Sequence, residues 1–264
     1  MSPKISVIMS VYNGARHLRE AVESILAQTF TDFEFLIVDD CSSDNSPQIL
    51  KEYTIKDSRV RVITNEFNLG LTKNLNKLIG ESKGEYLARF DCDDISFTKR
   101  FEEQVAFLDK NKNFGMCSVW AEIIDDKGSH LRELKYPTTN KELKKALIRY
   151  NPFFHPGIMI RKSVFEDVGL YNEDWRFAQD YELYFRVSKK YDVANVSSIL
   201  LKYRQTTGSI TSSKNRQQVE LVLKAKLKAL KEGQYSKLNY IHLVRSYISW
   251  ALPMPIKKLL KKIF

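Results

Sequence analysis

Residues 35–43 read FLIVDDCSS, an apolar run that stops at two aspartates, a cysteine and two serines. Four successive apolar residues without alternation predict a strand that is covered on both faces of a sheet. Strands of this kind are typical of parallel sheets, in which helices cover both faces. The stretch therefore predicts an α/β protein in which Asp39 and Asp40 follow the carboxyl end of a strand.

The surrounding sequence repeats this pattern. Similar apolar runs occupy residues 5–9, 60–63 and 86–90, and the last of them ends at DCDD, residues 91–94. Apolar residues at helical spacing predict helices over residues 18–26 and 71–79. Ser46-Pro47 predicts a further helix start, with Ser46 as the N-cap. The alternation predicts a Rossmann-like, mostly parallel central sheet flanked by helices.

The second half of the chain is less regular. Apolar spacing predicts helices near residues 101–108, 140–150 and 180–187 and strands at 117–124 and 199–201. Residues 206–215 are polar and rich in Gly, Ser and Thr, which predicts a loop.

The formal net charge of +10 is unevenly distributed along the 264 residues. Residues 1–213 contain 30 basic and 30 acidic residues, whereas residues 214–264 contain 12 basic and 2 acidic ones. A net charge of this size is typical of proteins that bind nucleic acid, anionic lipid or an acidic substrate. Because all of it lies after residue 213, the chain divides into a neutral region and a basic tail.

The composition excludes several classes of protein. An apolar content of 43% excludes a wholly disordered chain. Cys41, Cys92 and Cys117 form no C-x-x-C motif, which argues against a disulfide framework or zinc cluster and favours a reducing, cytoplasmic compartment. The apolar residues 5–12 lack a cleavage site, so we expect no secretory signal. No apolar run reaches the roughly 18–20 residues of a membrane-spanning helix.

Two acidic clusters, residues 39–40 and 91–94, follow predicted strands. Ligands of open parallel sheets bind beyond the carboxyl ends of the strands, so we expect both clusters to face one site. Carboxylates this close repel one another unless a cation neutralises them, and Mg²⁺ or Mn²⁺ prefers such oxygen ligands. The alternative is that each Asp-rich turn only caps the next helix. No G-x-G-x-x-G or Walker-type loop is present, so a backbone phosphate cradle is not expected.

Four blocks of the first half resemble, in order and spacing, those of the family 2 glycosyltransferases. They are ISVIMSVYNG (5–14), LIVDDCSSD (36–44), NLGLT (68–72) and ARFDCDDIS (88–96). The second half is similar to the acceptor half of the same family in HPGIMIRK (155–162), VGLY (168–171), AQDYELYFR (178–186) and LKYR (201–204). The resemblance covers about residues 4–205 and implies a GT-A fold.

The resemblance implies a GT-A catalytic domain over residues 1–213, with a nucleotide-sugar-binding half (1–96) and an acceptor half (97–213). It also implies a nucleotide-sugar donor, for which UDP is a better expectation than GDP or dTDP. By position, Tyr12 and Asn13 match the segment that lines the nucleotide base. Asp40 matches the carboxylate that binds the base, and Asp91 the one near the ribose. The alternative interpretation of Tyr12 is an aromatic side chain that packs in the core.

The same resemblance assigns the chemistry. Asp93 matches the metal-binding residue of the D-x-D element, with Asp94 beside it, and the metal is Mg²⁺ or Mn²⁺. Asp180 matches the general base, preceded by Gln179 where the family usually has Glu. Asp180 would accept the proton of an acceptor hydroxyl, whose oxygen attacks the anomeric carbon opposite the leaving diphosphate. Without the resemblance, Asp180 would be interpreted as an acid favoured by a helix N-terminus.

The expected product is a single added sugar. The Q-x-x-R-W signature of processive synthases is absent, which favours transfer of one hexose or N-acetylhexosamine. Relatives commonly use glycan or polyprenyl-linked acceptors in cell-surface polysaccharide biosynthesis. His155 and Arg204 have two interpretations each: contact with the acceptor or diphosphate, or a purely structural role. Tyr171 and Trp175 either stack on a sugar ring or belong to the core.

The basic tail, residues 214–264, contains two predicted helices. The helical spacing of the apolar residues in 216–232 favours a helix that packs on the catalytic domain with its lysines in solvent. Residues 256–264, IKKLLKKIF, place apolar residues on one face and lysines on the other, which is typical of a helix on an anionic membrane surface. We therefore expect a cytoplasmic enzyme that is peripheral on the inner face of the plasma membrane.

Two other functions stay open at this point. One is a catalytically inactive, nucleotide-sugar-binding homologue, although Asp93 and Asp180 are both present. The other is a nucleic-acid-binding protein that uses the basic tail. The acidic clusters and the neutral charge of residues 1–213 argue against it, so we expect no nucleic-acid partner.

Overall fold

The computed structural model describes residues 2–205, 216–244 and 247. Its strands are β1 (Ile5–Val11), β2 (Phe33–Asp39), β3 (Val60–Thr64), β4 (Tyr86–Asp91), β5 (Ile95–Ser96), β6 (Phe114–Ile124), β7 (His130–Leu134), β8 (Met159–Arg161) and β9 (Asp192–Arg204). Its helices are α1 (Ala15–Leu26), α2 (Ser46–Lys56), α3 (Leu71–Glu81), α4 (Arg100–Lys110), α5 (Asn140–Leu147), α6 (Lys162–Val168), α7 (Gln179–Lys190) and α8 (Arg216–Lys231). Two 3₁₀ helices occupy His155–Gly157 and Lys237–Tyr240.

Over the described residues, nine strands form one sheet in the order β3-β2-β1-β4-β8-β6-β9-β5, and β7 pairs with β6. Strands β1 to β4 are mutually parallel, as their apolar runs predict. The later strands are mixed: β8 is antiparallel to β4 and β6, whereas β6 and β9 are parallel. The predicted α/β fold, a central sheet flanked by helices, is confirmed, and its parallel pairs are those among β1 to β4 and the pair of β6 with β9.

The sheet separates two apolar layers because successive side chains of a strand point to opposite faces. On β1, Val7 and Met9 pack in one layer with Leu18 of α1. Ile8, between them, packs in the other layer with Leu75 of α3. The helical spacing that predicted α1 and α3 therefore marks the two faces of one sheet.

The predicted N-cap at Ser46 is wrong. Helix α2 begins at Ser46 itself, and its hydroxyl oxygen accepts a hydrogen bond from the backbone N–H of Gly14 at 3.0 Å. Asp44 accepts bonds of 2.9 Å from the backbone N–H groups of Ala15 and Ser46. Asp44 therefore connects the first turns of α1 and α2, which the local pattern of one helix does not indicate.

Helix α8 packs against α7. It buries Ala225, Ala229 and Leu230, and the Lys226 ammonium donates a hydrogen bond of 3.0 Å to the backbone oxygen of Arg149. The predicted loop at residues 206–215 and the predicted membrane-surface helix at residues 256–264 lie outside the described residues. Within the described ranges, no helix has both the length and the apolar character needed to cross a bilayer.

Candidate active site

Both acidic clusters lie at the carboxyl edge of the parallel strands. In the register of the sheet, Asp39 pairs with Val11 and Asp91 pairs with Ser10. Strand β1 lies between β2 and β4, so the two clusters flank its end. The parallel topology therefore brings together two groups that are about fifty residues apart in sequence.

Asp91, Asp93 and Asp94 form a compact carboxylate cluster in which one oxygen of each residue lies within 4.8 Å of the others. Burial, together with the charge of Asp91, raises the pKa of Asp93 to about 6. Burial, together with the charges of Asp93 and Asp91, raises the pKa of Asp94 well above its usual value. The buried Asp94 Oδ2 has no hydrogen-bond partner among the described residues. Three acceptor-only groups, one with an orphaned oxygen, fit a divalent cation.

Arg204 supports this cluster from the end of β9. Its backbone N–H donates to Asp94 Oδ1 at 2.8 Å, and its Nε donates to the backbone oxygen of Asp93 at 2.7 Å. Its Nη1 donates to the backbone oxygens of Asp125 and Asp126, and its Nη2 pairs with Glu20 at 2.6 Å. The side chain is almost completely buried. These contacts fit the structural interpretation of Arg204 at the edge of the core.

Arg89 is a functional candidate that the sequence analysis missed. Its almost completely buried guanidinium forms an ion pair with Asp91, and its Nε has no hydrogen-bond partner among the described residues. The positive charge of Arg89 acts on Asp91, on Asp180 and on His155. A signal was available in the sequence: a lone arginine interrupts the apolar run YLARF of a strand that is otherwise buried.

Asp40 is buried and organises the loop after β3. Its Oδ1 accepts hydrogen bonds of 2.8 Å from Asn65 Nδ2 and from the backbone N–H of Leu69, and its Oδ2 accepts one of 2.9 Å from the backbone N–H of Gly70. Gly70 has a φ of +84°, a conformation that side-chain-bearing residues rarely adopt. Both carboxylate oxygens of Asp40 therefore fix the conformation of this loop.

Two asparagines that the sequence analysis did not select connect this loop to β1. Asn65 Nδ2 also donates to Asn74 Oδ1 at 2.7 Å, and Asn74 Nδ2 donates to the hydroxyl of Ser10 at 3.0 Å. Asn74 lies in α3 and is completely buried. This polar chain holds the Gly70 loop beside the end of β1.

Tyr12 and Asn13 follow β1 directly. The Tyr12 side chain is 54% exposed, so it is not a core aromatic. Asn13 adopts a φ of +52°, which asparagine tolerates better than most residues. Its Oδ1 accepts a hydrogen bond of 2.8 Å from the backbone N–H of Ser43, and its own N–H donates to Ser42 Oγ at 3.0 Å. The turn after β1 and the turn after β2 are thus joined.

Asp180 lies in the first turn of α7, next to the buried Gln179. Its Oδ2 accepts a hydrogen bond of 2.9 Å from Asn151 Nδ2. Burial raises the pKa of Asp180, and the charge of Arg89 and the Asn151 hydrogen bond oppose that rise. A partly buried carboxylate with a raised pKa is suited to accept a proton from a hydroxyl group.

His155 and Tyr171 form a pair on which the charge of Arg89 acts. His155 Nε2 and the Tyr171 hydroxyl are hydrogen-bonded at 2.9 Å. Burial and the charge of Arg89 lower the pKa of His155 well below its usual value, so the imidazole is neutral. Tyr171 is buried, and Asn76 binds both its backbone N–H and its backbone oxygen. Tyr171 therefore belongs to the core, and Trp175 is half-buried against the same layer.

The chain matches known proteins over most of its length. The sequence profile of glycosyl transferase family 2 matches residues 6–169. The O-antigen biosynthesis glycosyltransferase WbnJ of Escherichia coli is 34% identical over 208 residues, which cover 76% of this chain and 79% of that protein.

Two solved structures share the fold. S. aureus TarS (residues 1–349) in complex with UDP-GlcNAc has a TM-score of 0.73 at 20% identity, covering 93% of this chain and 73% of that one. The mannosyltransferase PcManGT from Pyrobaculum calidifontis, in complex with GDP-Man and Mn²⁺, has a TM-score of 0.67 at 14% identity, covering 99% and 79%. At these identities the likeness shows the fold alone.

Proposed function

Because the chain belongs to glycosyl transferase family 2 and has the GT-A fold of its structural neighbours, we propose that it transfers one sugar with inversion from a UDP-sugar to an acceptor hydroxyl. The observation that carries this proposal is the carboxylate cluster at the end of β4, in which Asp91 pairs with Arg89. The charge of the same arginine opposes the rise in the pKa of Asp180. A leaving diphosphate needs positive charge, and an attacking hydroxyl needs a base. The site offers a place for a cation and a suitable carboxylate within range of one arginine.

Asp93 and Asp94 are the residues that would hold a Mg²⁺ or Mn²⁺ ion. Asp94 Oδ2 is buried and has no partner in the described ranges, whereas Asp91 is already paired with Arg89. That pairing leaves Asp91 to contact the donor, in agreement with a place near the ribose. When bound, the divalent cation supplies positive charge that stabilises the diphosphate leaving group. The Mn²⁺ named in the PcManGT complex gives this assignment further support.

The donor base would lie against the exposed ring of Tyr12. Asn13 holds the turn that carries this ring, and Asp40 lies at the same sheet edge, where its backbone N–H donates to the backbone oxygen of Val11 at 2.8 Å. A carboxylate acceptor suits the imide N–H of uracil, which supports UDP as the nucleotide. The TarS complex with UDP-GlcNAc is consistent with a UDP-sugar, and therefore with a hexose or N-acetylhexosamine.

Asp180 is proposed to act as the general base. Its ionised form accepts the proton of the acceptor hydroxyl, while the hydroxyl oxygen forms a bond to the anomeric carbon and the bond to the diphosphate breaks. Asn151 orients the carboxylate through its hydrogen bond, and Arg89 favours the ionised form. His155 is neutral and hydrogen-bonded to Tyr171, and we propose that it contacts the acceptor or the diphosphate.

The acceptor is proposed to be a glycan or a polyprenyl-linked glycan of cell-surface polysaccharide biosynthesis. The name of the E. coli relative, an O-antigen biosynthesis glycosyltransferase, supports this class. A lipid-linked acceptor also accounts for the basic tail, through which residues 256–264 would dock the enzyme on the inner face of the plasma membrane. We propose no nucleic-acid partner.

The experiment that tests this function is a donor screen. The protein is mixed with UDP-, GDP- and dTDP-sugars and Mn²⁺, and release of the nucleoside diphosphate is measured with the wild type and with Asp180→Asn. With water in the place of the acceptor hydroxyl, we expect the wild type to hydrolyse a UDP-sugar and release UDP. We expect Asp180→Asn to lose this release and to keep the donor affinity of the wild type in a calorimetric titration. Donor binding without turnover by the wild type would instead identify an inactive homologue.

A further inference from the structure

An exposed apolar surface follows helix α8. Leu238 is 86% exposed, Ile241 is 64% exposed and Val244 is 52% exposed. Leu238 lies in the 3₁₀ helix Lys237–Tyr240, where residues three apart lie above one another, and residues 241–244 continue as a helical turn. These three side chains therefore form a row, which we call the apolar ridge.

The apolar ridge is held firmly on the body of the protein. Just before it, Gln234 Nε2 donates to the backbone oxygen of Phe185 at 3.1 Å and to Ser188 Oγ at 3.0 Å. Tyr235 donates a hydrogen bond of 2.9 Å from its hydroxyl to the backbone oxygen of Lys144. Leu243 packs against the core from the inner side of the same segment. The segment is therefore amphipathic, with one face in the core and the apolar ridge outside.

The sequence after Glu232 carries charge of one sign. After Glu232 the chain contains no Asp or Glu, and its basic residues are Lys237, Arg245, Lys257, Lys258, Lys261 and Lys262. Lys237 is exposed and directly precedes Leu238. Large exposed aliphatic side chains usually mark a docking surface, and the absence of acidic residues restricts what can dock there.

We propose that the apolar ridge inserts into the interfacial region of an anionic lipid bilayer. Exposed aliphatic side chains in a stretch of sequence that contains cationic but no anionic residues are the combination that such a surface binds. Association of two copies of the chain through the apolar ridge would bring two basic segments together, and their repulsion opposes such a dimer. The proposal deepens the proposed peripheral location: it adds a rigid contact, attached to α7, that is separate from residues 256–264.

The test compares binding of the full chain to phosphatidylcholine vesicles with and without phosphatidylglycerol. The test variant is Leu238→Ser/Ile241→Ser/Val244→Ser, and the matched control is Ile55→Ser, which removes a 79% exposed aliphatic side chain from α2. We expect the partition coefficient of the test variant on anionic vesicles to fall about tenfold or more. The control is expected to bind as the wild type does.

Two further measurements keep the outcomes separate. Equal Mn²⁺-dependent donor turnover by the test variant and the wild type shows that the variant is folded and that the proposed transfer does not depend on the apolar ridge. Unchanged vesicle binding by the test variant would overturn the proposal, as would a wild-type dimer that the substitutions convert to a monomer in sedimentation analysis. A wild type that turns over the donor but ignores anionic vesicles would overturn it and leave the transferase activity standing.

Discussion

Arg204 Nε donates a hydrogen bond of 2.7 Å to the backbone oxygen of Asp93, a residue 111 positions earlier in the chain. The backbone N–H of Arg204 holds Asp94 Oδ1 at 2.8 Å. Two consecutive residues of the proposed metal site are therefore held by one residue at the end of β9, Asp93 through its backbone and Asp94 through its carboxylate. The geometry of the cluster depends on the second half of the chain as much as on β4.

Replacing Arg204 with Lys should weaken metal binding. Lysine keeps the charge and the backbone N–H but lacks the planar group that reaches Asp93, Asp125 and Glu20 together. Residues that orient metal ligands typically change the affinity for the metal by about 10- to 100-fold. Titration of Mn²⁺ followed by electron paramagnetic resonance measures this without activity.

The control for Arg204 is Glu20→Gln. Glu20 is exposed and meets only the Nη2 end of Arg204, so the contacts with Asp93 and Asp94 stay in place. We expect Mn²⁺ affinity within about threefold of the wild type, because an exposed partner contributes at most about 1 kcal/mol. Equal losses in both variants would mean that Arg204 acts only through its ion pair.

Replacing Asn151 with Ala should move the pH profile. The Asn151 hydrogen bond stabilises the ionised form of Asp180, so its removal raises the pKa of a carboxyl group that burial already raises. A general base must be ionised, so activity is lost as the pH falls through this pKa. The acid limb of the kcat/KM profile should therefore shift to higher pH.

A matched control for this shift is Asn113→Ala. Asn113 donates a hydrogen bond of 2.6 Å to Asp192, at the start of β9 and away from the carboxyl edge of β4. Its loss should leave the pH profile of kcat/KM unchanged. A shift in both variants, or in neither, would contradict the role given to Asp180.

Replacing Arg89 with Met should lower stability and weaken donor binding. The substitution leaves Asp91 without its partner in a partly buried position. Removing one member of a fully buried pair costs about 3–5 kcal/mol, and the partial exposure of Asp91 reduces this to about 2–3 kcal/mol in the free energy of unfolding. Urea denaturation measures the change. Arg61→Met, which breaks the exposed pair with Glu81, should change it by less than about 1 kcal/mol.

Two glycines at the ends of α3 should respond to alanine in opposite directions. Gly70 has a φ of +84°, so Gly70→Ala should destabilise the protein by about 1–3 kcal/mol and disturb the bond to Asp40. Gly80 lies inside α3 with nothing within 4 Å of an added Cβ. Gly80→Ala should therefore stabilise it by about 0.5–1 kcal/mol. The measurement is the thermal unfolding of both variants. A change of stability in the same direction in both would contradict the backbone roles assigned to Gly70 and Gly80.

Local patterns predicted the elements from β1 to β4 but missed β5, β7, β8 and α6, and they did not give the limits of the elements. The apolar runs at residues 5–9 and 35–38 lie inside β1 and β2, which extend to Val11 and Asp39. The strand predicted at 199–201 is part of β9, Asp192–Arg204. Partly buried and exposed residues at 196–199 interrupt the apolar pattern of this longer strand. The helix predicted over 140–150 ends at Leu147. The end of a strand depends on its partner strands, and the end of a helix depends on its caps. These partners can lie far away in the sequence.

The sequence by itself determined that strands end at aspartates, because hydrophobic periodicity and residue type are local properties. The resemblance of its motifs to those of the family made Asp93 and Asp180 candidates for the chemistry. Only the tertiary structure decided which distant residues serve those aspartates. Arg89 pairs with Asp91, Arg204 holds the backbone of Asp93, and Asn151 binds Asp180. Such partners are selected by burial, since a buried charge or carbonyl needs a hydrogen bond from whatever the fold brings near it.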